Sequence, residues 1–112
     1  MKGLSDAQLS VLLLMYKKGY LMVNNEGANF KCWLEDRNGN KVPYVLNRNT
    51  GNCLHTDGWI DGDLSRDCGR RKFYSKLSQR AINKLSYWYT FPKYQQEMDS
   101  LLRRAFGKIK GK

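Results

Sequence analysis

Residues 58–78 read GWIDGDLSRDCGRRKFYSKLS, and this stretch decides the fold. Trp59-Ile60 directly after a glycine indicates a strand, and the β-rich run 73–77 indicates a return strand whose side chains point alternately to two faces. The polar stretch between them, residues 61–71, contains two glycines and is typical of a loop. Ser78 carries the side chain of a helix N-cap. The stretch therefore predicts a strand, a loop, a second strand and a helix in succession.

The sequence before this stretch predicts further strands. Asn38-Gly39 is a strong signal for a hairpin turn because both residues tolerate positive φ, and it lies between the β-rich runs 30–34 and 42–46. Pro43 cannot donate a backbone hydrogen bond, which favours an edge position for the second run. Residues 20–23 form another short β-rich run.

Two helices are predicted in the first half of the chain. Ser5 and Gln8 have the spacing of a capping box, and Gly19 can end the first helix in the left-handed conformation. The apolar run from Val11 to Tyr16 places apolar side chains on nearly all sides of this helix, so we expect the helix to be buried on more than one side. Asn47 is a good N-cap and Gly58 a good end for the second helix.

Two more helices follow Ser78. The first extends to about Thr90, and Pro92 separates it from a last helix over residues 93–106, which we expect Gly107 to end. This last helix carries an apolar stripe at helical spacing, formed by Tyr94, Met98, Leu101, Leu102, Ala105 and Phe106. The stripe has two possible partners: the chain's own core, or a second copy in a homodimer.

The chain has 112 residues and a net charge of +10, and the charge is concentrated at one end. Its length suits a single domain with one core. Residues 1–67 hold eight basic and eight acidic residues, whereas residues 68–112 hold twelve basic and two acidic ones. Such a segregated positive field attracts polyanions, and nucleic acid is the default partner.

Several classes of protein are not expected. The longest uninterrupted apolar run, Val11 to Tyr16, is far shorter than the roughly 20 residues of a membrane span. The N-terminus lacks the pattern of a secretory leader. Three cysteines without such a leader predict reduced thiols and a cytoplasmic protein with no membrane partner.

Residues 47–85 resemble the second half of winged helix-turn-helix domains. The matching features are Thr50, Leu54, Gly58-Trp59-Ile60 and, after a loop, the run from Arg71 to Ser78. In that family a helix leads to a glycine-apolar-apolar strand, a wing loop and a return strand that enters another helix. The start Leu4-Ser5-Asp6-Ala7-Gln8 is also similar to small phage-encoded proteins of this type, which implies the cytoplasm of a host cell as the location.

The resemblance implies an α+β fold: a small winged-helix-like domain with a short β-hairpin and C-terminal helices. The domain would span residues 1–91, and residues 92–112 would form an amphipathic helix and basic tail packed on it. The family has a second helix directly before the recognition helix, whereas residues 20–46 have the pattern of strands here. Whether residues 35–60 contain one helix or two therefore decides how far the family's groove-reading geometry carries over.

The helix after Asn47 is the recognition element that the resemblance implies. Five residues of this helix are expected to face outward: Arg48, Asn49, Asn52, His55 and Thr56. Arg can bridge guanine and Asn can bridge adenine through paired hydrogen bonds, so Arg48, Asn49 and Asn52 are the candidates for base contacts. The alternative is a solvated helix whose asparagines serve only as cap and turn residues.

The wing and the helix after it supply candidate phosphate ligands. A run of basic residues with no acid among them continues from the wing into the return strand and helix: Arg70, Arg71, Lys72, Lys76, Arg80 and Lys84, with Arg66 earlier in the loop. Like charges four residues apart, as at Arg80 and Lys84, disfavour an isolated helix, and a polyanionic partner would explain their presence. The alternatives are a solvated face and, for the wing, neutralisation by Asp61, Asp63 and Asp67.

The other chemistry-bearing residues point to no enzyme. Cys53 and His55 are too close in sequence to indicate a nucleophile and its base, and the cysteine spacing lacks the pairs of a zinc site. We therefore expect no catalytic residues, no metal and no cofactor. The aromatic cluster of Tyr87, Trp88, Tyr89, Phe91 and Tyr94 could stack on unpaired nucleotides, but is more typical of a core or a protein interface.

Two functions follow from these patterns. The first is a regulatory protein that binds nucleic acid, in particular double-stranded DNA, through the basic wing and helix face. The alternative is a phage-type inhibitor that binds a host protein or ribonucleoprotein, such as a CRISPR effector or RNA polymerase, at the surface where that target binds nucleic acid.

Overall fold

The computed structural model describes residues 3–25, 31–65 and 72–110, which form a mixed α+β fold. This confirms the predicted fold class. The elements, in chain order, are α1 (Asp6–Lys18), β1 (Leu21–Asn25), β2 (Lys31–Glu35), β3 (Lys41–Val42), α2 (Arg48–Thr56), β4 (Ile60–Ser65), β5 (Lys72–Leu77), α3 (Gln79–Trp88) and α4 (Pro92–Lys110).

The five strands form one antiparallel sheet in the order β3-β2-β1-β5-β4. β1 is central, and its Met22 pairs with Leu34 of β2 and with Ser75 of β5. These three side chains are fully buried, which identifies the sheet face that the helices cover. In this order β5 lies between β1 and β4.

α1 is capped and buried as its sequence predicts. The backbone N–H of Gln8 donates to Ser5 Oγ, and that of Ser5 donates to Gln8 Oε1, which completes the capping box. Gly19 ends the helix with φ of +74°. A continuous run from Leu9 to Met15 is buried, so this helix is enclosed on most sides.

The predicted hairpin is present, but its second strand is shorter than expected. Asp36 Oδ1 accepts hydrogen bonds from the backbone N–H groups of Asn38 and Asn40, and Gly39 takes φ of +82°. β3 comprises only Lys41–Val42, whereas residues 42–46 were expected to pair. The proline that follows Val42 has no N–H with which to continue the ladder.

Residues 35–60 contain one helix, not two. Asn47 caps α2, as predicted, by accepting from the backbone N–H of Asn49 through its side chain. Before it the chain forms β3 and an irregular segment, so no second helix directly precedes α2. The stretch that would hold the family's other helix is therefore built differently in this chain.

β4 is longer than the sequence indicates. It continues to Ser65, so part of the expected loop, residues 61–65, is paired with β5 instead. The register shifts between Asp61 and Leu64, which marks a β-bulge or similar irregularity. The remainder of the predicted wing, residues 66–71, lies outside the described residues.

α4 runs through Gly107 and ends at Lys110, so the prediction that this glycine ends the helix is wrong. Packing explains the difference, because the partly buried Ile109 contacts the core beyond the glycine. Met98, Leu101 and Ala105 are buried, and α4 lies against α1. The chain's own core therefore covers these three residues of the apolar stripe, and the homodimer stays a prediction. No helix in the described part of the chain is both long and apolar enough to cross a membrane.

Candidate nucleic-acid interface

α2 lies across the covered face of the sheet, from β2 towards β4. A Cβ atom placed on Gly51 would lie 3.0 Å from Cys32 Sγ on β2 and 3.6 Å from Met22 Sδ on β1. One turn later His55 contacts Asn24 of β1 and Ser75 of β5. The glycine allows the helix to approach the sheet closely at one end, and the histidine fixes it at the other.

The prediction that His55 faces outward is wrong, because its ring is turned towards the sheet and forms a small polar network under α2. Asn24 Nδ2 lies 3.0 Å from His55 Nε2, and Ser75 Oγ lies 3.3 Å from the same nitrogen. Burial lowers the pKa of His55 below its ordinary value, so the ring is neutral at pH 7. A neutral Nε2 can accept a hydrogen bond from the Asn24 amide. The role of this histidine is therefore to position the helix.

The outward side of α2 is polar and nearly uncharged. Gly51 and Leu54 are buried against the sheet, whereas the residues spaced around the opposite face are exposed: Arg48, Asn49, Asn52, Cys53 and Thr56. Burial raises the pKa of the half-buried Cys32 thiol, and the positive charge of Arg48 partly offsets this effect. The helix thus presents amides along its length and a cation near its N-terminus.

The C-terminus of α2 is tied to the start of α3. Ser78 caps α3 by accepting from the backbone N–H of Ala81, and its hydroxyl donates to the carbonyl of Gly58, 2.8 Å away. Arg80 Nη1 donates to the carbonyl of Asp57, and the guanidinium carbon lies 4.5 Å from the centre of the Trp59 ring. A second cation is therefore held at the other end of α2.

The strand ends beside α2 carry the base of the predicted wing. Asn25 pairs with Lys31 on one side and with Lys72 on the other, one residue beyond the Asn24 that contacts α2. Residues 66–71 connect β4 to β5 at this same end of the sheet. Lys72 belongs to β5, whereas the predicted contacts of Arg66, Arg70 and Arg71 fall outside the described residues and stay predictions.

The structure separates Lys76 from α2. Ser75 points to the covered face, so Lys76, its neighbour in β5, projects from the opposite face, where it pairs with Asp61 of β4. Lys84 is exposed on α3, one turn beyond Arg80. The basic run that is continuous in sequence therefore divides, and only Arg80 and Lys84 continue from the end of α2.

The aromatic cluster also divides between core and surface. Trp88 is buried and packs against Trp59 with ring centroids 6.0 Å apart, while Tyr89 stacks on Tyr16 at 6.1 Å. Tyr87 and Phe91, in contrast, are exposed. The core interpretation holds for the first group and fails for these two rings.

Cations elsewhere lie on aromatic rings. Lys17 Nζ is 4.2 Å from the Tyr89 ring centre and Lys18 Nζ is 4.0 Å from that of Phe106. Burial and the Asp99 carboxylate raise the pKa of Tyr89 to about 12, so this ring stays neutral beneath its cation.

Within the described ranges, no group of three or more His, Cys, Asp and Glu side chains is arranged to hold a metal ion.

Comparisons with known proteins give no family assignment. No protein-family model matches the chain, and neither the curated proteins nor the solved structures contain a significant match. The winged-helix resemblance therefore rests on the sequence motifs alone.

Proposed function

We propose that this chain is a regulatory protein that binds double-stranded DNA, with the exposed side of α2 in the major groove. One observation carries the proposal: α2 offers an uncharged, amide-rich face between two cations, Arg48 and Arg80. The predicted wing residues Arg66, Arg70 and Arg71 lie in the sequence between β4 and β5 and would add positive charge. A reading element needs hydrogen-bonding side chains towards the bases and positive charge towards the phosphates on either side.

The amides of α2 supply the base contacts in this proposal. Asn49 and Asn52 are three residues apart on the exposed side, and an Asn side chain can pair with N6 and N7 of adenine in the major groove. α2 has nine residues, so its ends are roughly 12 Å apart at about 1.5 Å per residue. This length matches the width of a major groove of about 12 Å.

The cations at the two ends supply the phosphate contacts. Arg48 lies at the N-terminus of α2, and Arg80 is held at its C-terminus by the Asp57 carbonyl and the Trp59 ring. Lys84 extends the positive charge along α3. Fixed cations lose less conformational freedom on binding than free side chains do, which favours affinity.

A salt series with labelled duplexes tests the proposal. If about five to eight phosphates are neutralised, the logarithm of the affinity falls against the logarithm of salt concentration with a slope near −5 to −7. Fluorescence anisotropy on a mixed-sequence duplex library and on enriched sites measures this slope. Absence of binding to any duplex at low salt overturns the proposal.

Two variants separate base reading from phosphate binding. Asn52→Ala is expected to reduce the preference for the enriched site by roughly 1–3 kcal/mol while leaving binding to random duplexes unchanged. Lys84→Ala is expected to weaken both equally and to reduce the salt slope by about one. Arg103→Ala, an exposed position on α4, is the matched control for loss of one charge.

The inhibitor alternative makes a different prediction for the same protein. A chain that binds a host protein or ribonucleoprotein is captured with that target in fixed stoichiometry after nuclease treatment. A DNA-binding regulator loses its partners under the same treatment. Pull-down with and without nuclease therefore decides between the two functions.

A further inference from the structure

An exposed pair of aromatic rings lies beyond the cations of α3. Tyr87 is 60% exposed and Phe91 40% exposed, whereas Trp88 between them is only 9% exposed. We call Tyr87 and Phe91 the aromatic ridge. Large rings at this exposure remain in contact with water at a cost in free energy, which is commonly offset by binding a partner.

The two rings of the ridge contact each other edge to face. Tyr87 and Phe91 meet edge to face, with centroids 5.1 Å apart and planes at 82°, and Phe91 meets Tyr94 in the same way at 5.8 Å and 76°. Edge-to-face contact uses the edge of one ring and a single face of the other. The remaining faces can stack on a planar group.

α3, the helix that carries Tyr87, contains basic side chains and no carboxylate. Arg80, Lys84 and Tyr87 follow one another at helical spacing on the exposed side of α3, and Phe91 contacts the last of them. The sequence contains no Asp or Glu between residues 68 and 96. Lys93, two residues after Phe91, is a further exposed cation, and the exposed Glu97 follows it one turn later on α4.

We infer that the aromatic ridge binds single-stranded nucleic acid, with unpaired bases stacked on Tyr87 and Phe91 and backbone phosphates at Lys84 and Lys93. Exposed rings beside cations are the two components of single-strand binding surfaces: the rings take any base, and the cations follow the backbone. Neither component distinguishes one base sequence from another. This site shares Lys84 with the proposed duplex-binding surface, but its rings belong to α3 and the turn after it, and it does not depend on duplex binding.

Charge and ring geometry favour this occupant over an apolar protein surface. A protein partner without acidic groups would leave Lys84 and Lys93 desolvated and unpaired, which opposes binding. A nucleic-acid strand supplies a phosphate for each cation and a planar base for each ring. A purely apolar partner would gain only the area of the two rings.

Anisotropy titrations with labelled oligo(dT) and oligo(U), next to a duplex of equal length, test this inference. The decisive variant is Tyr87→Leu/Phe91→Leu, which keeps apolar area at both positions and removes the ring faces. Because each stacked base contributes roughly 1–3 kcal/mol, we expect single-strand affinity to fall at least about fivefold per ring. Tyr87→Phe should retain it, and the duplex affinity of both variants should stay that of the parent.

Val45→Ala is the matched control, since Val45 is 86% exposed and lies outside the ridge. Helix content from circular dichroism establishes that the leucine variant is folded. Single-strand binding that is unchanged in that variant, or absent in the parent chain, overturns the inference. Because the duplex is measured in parallel, loss of the single-strand site is distinguishable from failure of the DNA-binding proposal.

Discussion

The Nε2 atom of His55 lies 3.0 Å from the Nδ2 atom of Asn24, and this contact joins α2 to the central strand of the sheet. Ser75 Oγ approaches the same nitrogen, and Gly62 of β4 leaves space for the other side of the ring. One side chain thus contacts or approaches three strands. The orientation of the proposed recognition helix depends on this ring and on its protonation state.

The lowered pKa of His55 predicts pH-dependent stability. The unfolded chain takes up the proton near pH 6.5, whereas the folded chain resists it to lower pH, so the free energy of unfolding decreases as the pH falls below about 6.5. Because the ring is only partly buried, we expect a slope well under the limit of about 1.4 kcal/mol per pH unit for one proton. Urea unfolding between pH 7.5 and 5.5 measures it.

The comparison variant is His55→Gln, which cannot titrate. Since His55 is the only histidine in the chain, the difference in pH dependence between parent and variant isolates its contribution. If both proteins lose stability in parallel over this range, another group is responsible and the prediction fails.

Gly62→Ala should destabilise the fold because the new methyl group has no space. A Cβ atom at this position would lie 2.8 Å from Cε1 of His55 and 3.3 Å from Oγ of Ser75. Overpacking of this kind costs about 1–3 kcal/mol. Thermal unfolding monitored by circular dichroism should show a lower Tm. Anisotropy titration should show a reduced duplex affinity, because the contact lies under α2.

Gly107→Ala is the matched substitution with the opposite expected sign. Gly107 lies inside α4, and a Cβ atom there meets nothing within 4 Å. Alanine in a helix interior is more stable than glycine by about 0.5–1 kcal/mol. A fall in Tm for this variant would show that α4 ends near the glycine after all.

Ser78→Ala should lower the free energy of unfolding by more than Ser5→Ala does, although both serines are N-caps. Ser5 caps α1 at an exposed end, and an Ala substitution there typically costs about 1 kcal/mol. Ser78 is buried and additionally donates to the carbonyl of Gly58, which the substitution leaves without that donor. If denaturant unfolding shows equal decreases in the free energy of unfolding, the hydrogen bond from Ser78 to the Gly58 carbonyl contributes nothing to stability.

Arg80→Ala should affect stability as well as DNA binding, unlike Lys84→Ala. Arg80 loses its contacts with the Asp57 carbonyl and the Trp59 ring, which together correspond to about 1 kcal/mol. Lys84 is exposed, so its removal should change the free energy of unfolding by less than about 0.5 kcal/mol. Denaturant midpoints of the two variants, measured beside their duplex affinities, test the distinction.

The features that could be predicted from the sequence depend on neighbouring residues. The caps Ser5, Asn47 and Ser78 and the turn at Asn38-Gly39 each close hydrogen bonds within a few residues. Such bonds need no knowledge of the remaining chain, so their sequence patterns are sufficient. The α+β class follows from the same local signals taken in order.

The features that could not be predicted depend on distant partners. β4 extends to Ser65 because β5 pairs with it, and α4 passes Gly107 because Ile109 reaches the core. The contact of His55 with Asn24 joins residues 31 positions apart and has no periodic signature. The same holds for the candidate site, since the sequence places Lys76 and Arg80 in one run but the pleat of β5 directs Lys76 to the far face.

The margins of the sheet bear on how the protein behaves at high concentration. One outer strand, β3, has two residues, includes Lys41 and is followed by Pro43, while the other, β4, has an irregular register and carries Asp61. Short, charged or interrupted outer strands give a second molecule little backbone with which to form an intermolecular ladder. The protein should therefore resist edge-to-edge aggregation, even when a bound polyanion neutralises the positive charge that otherwise keeps the molecules apart.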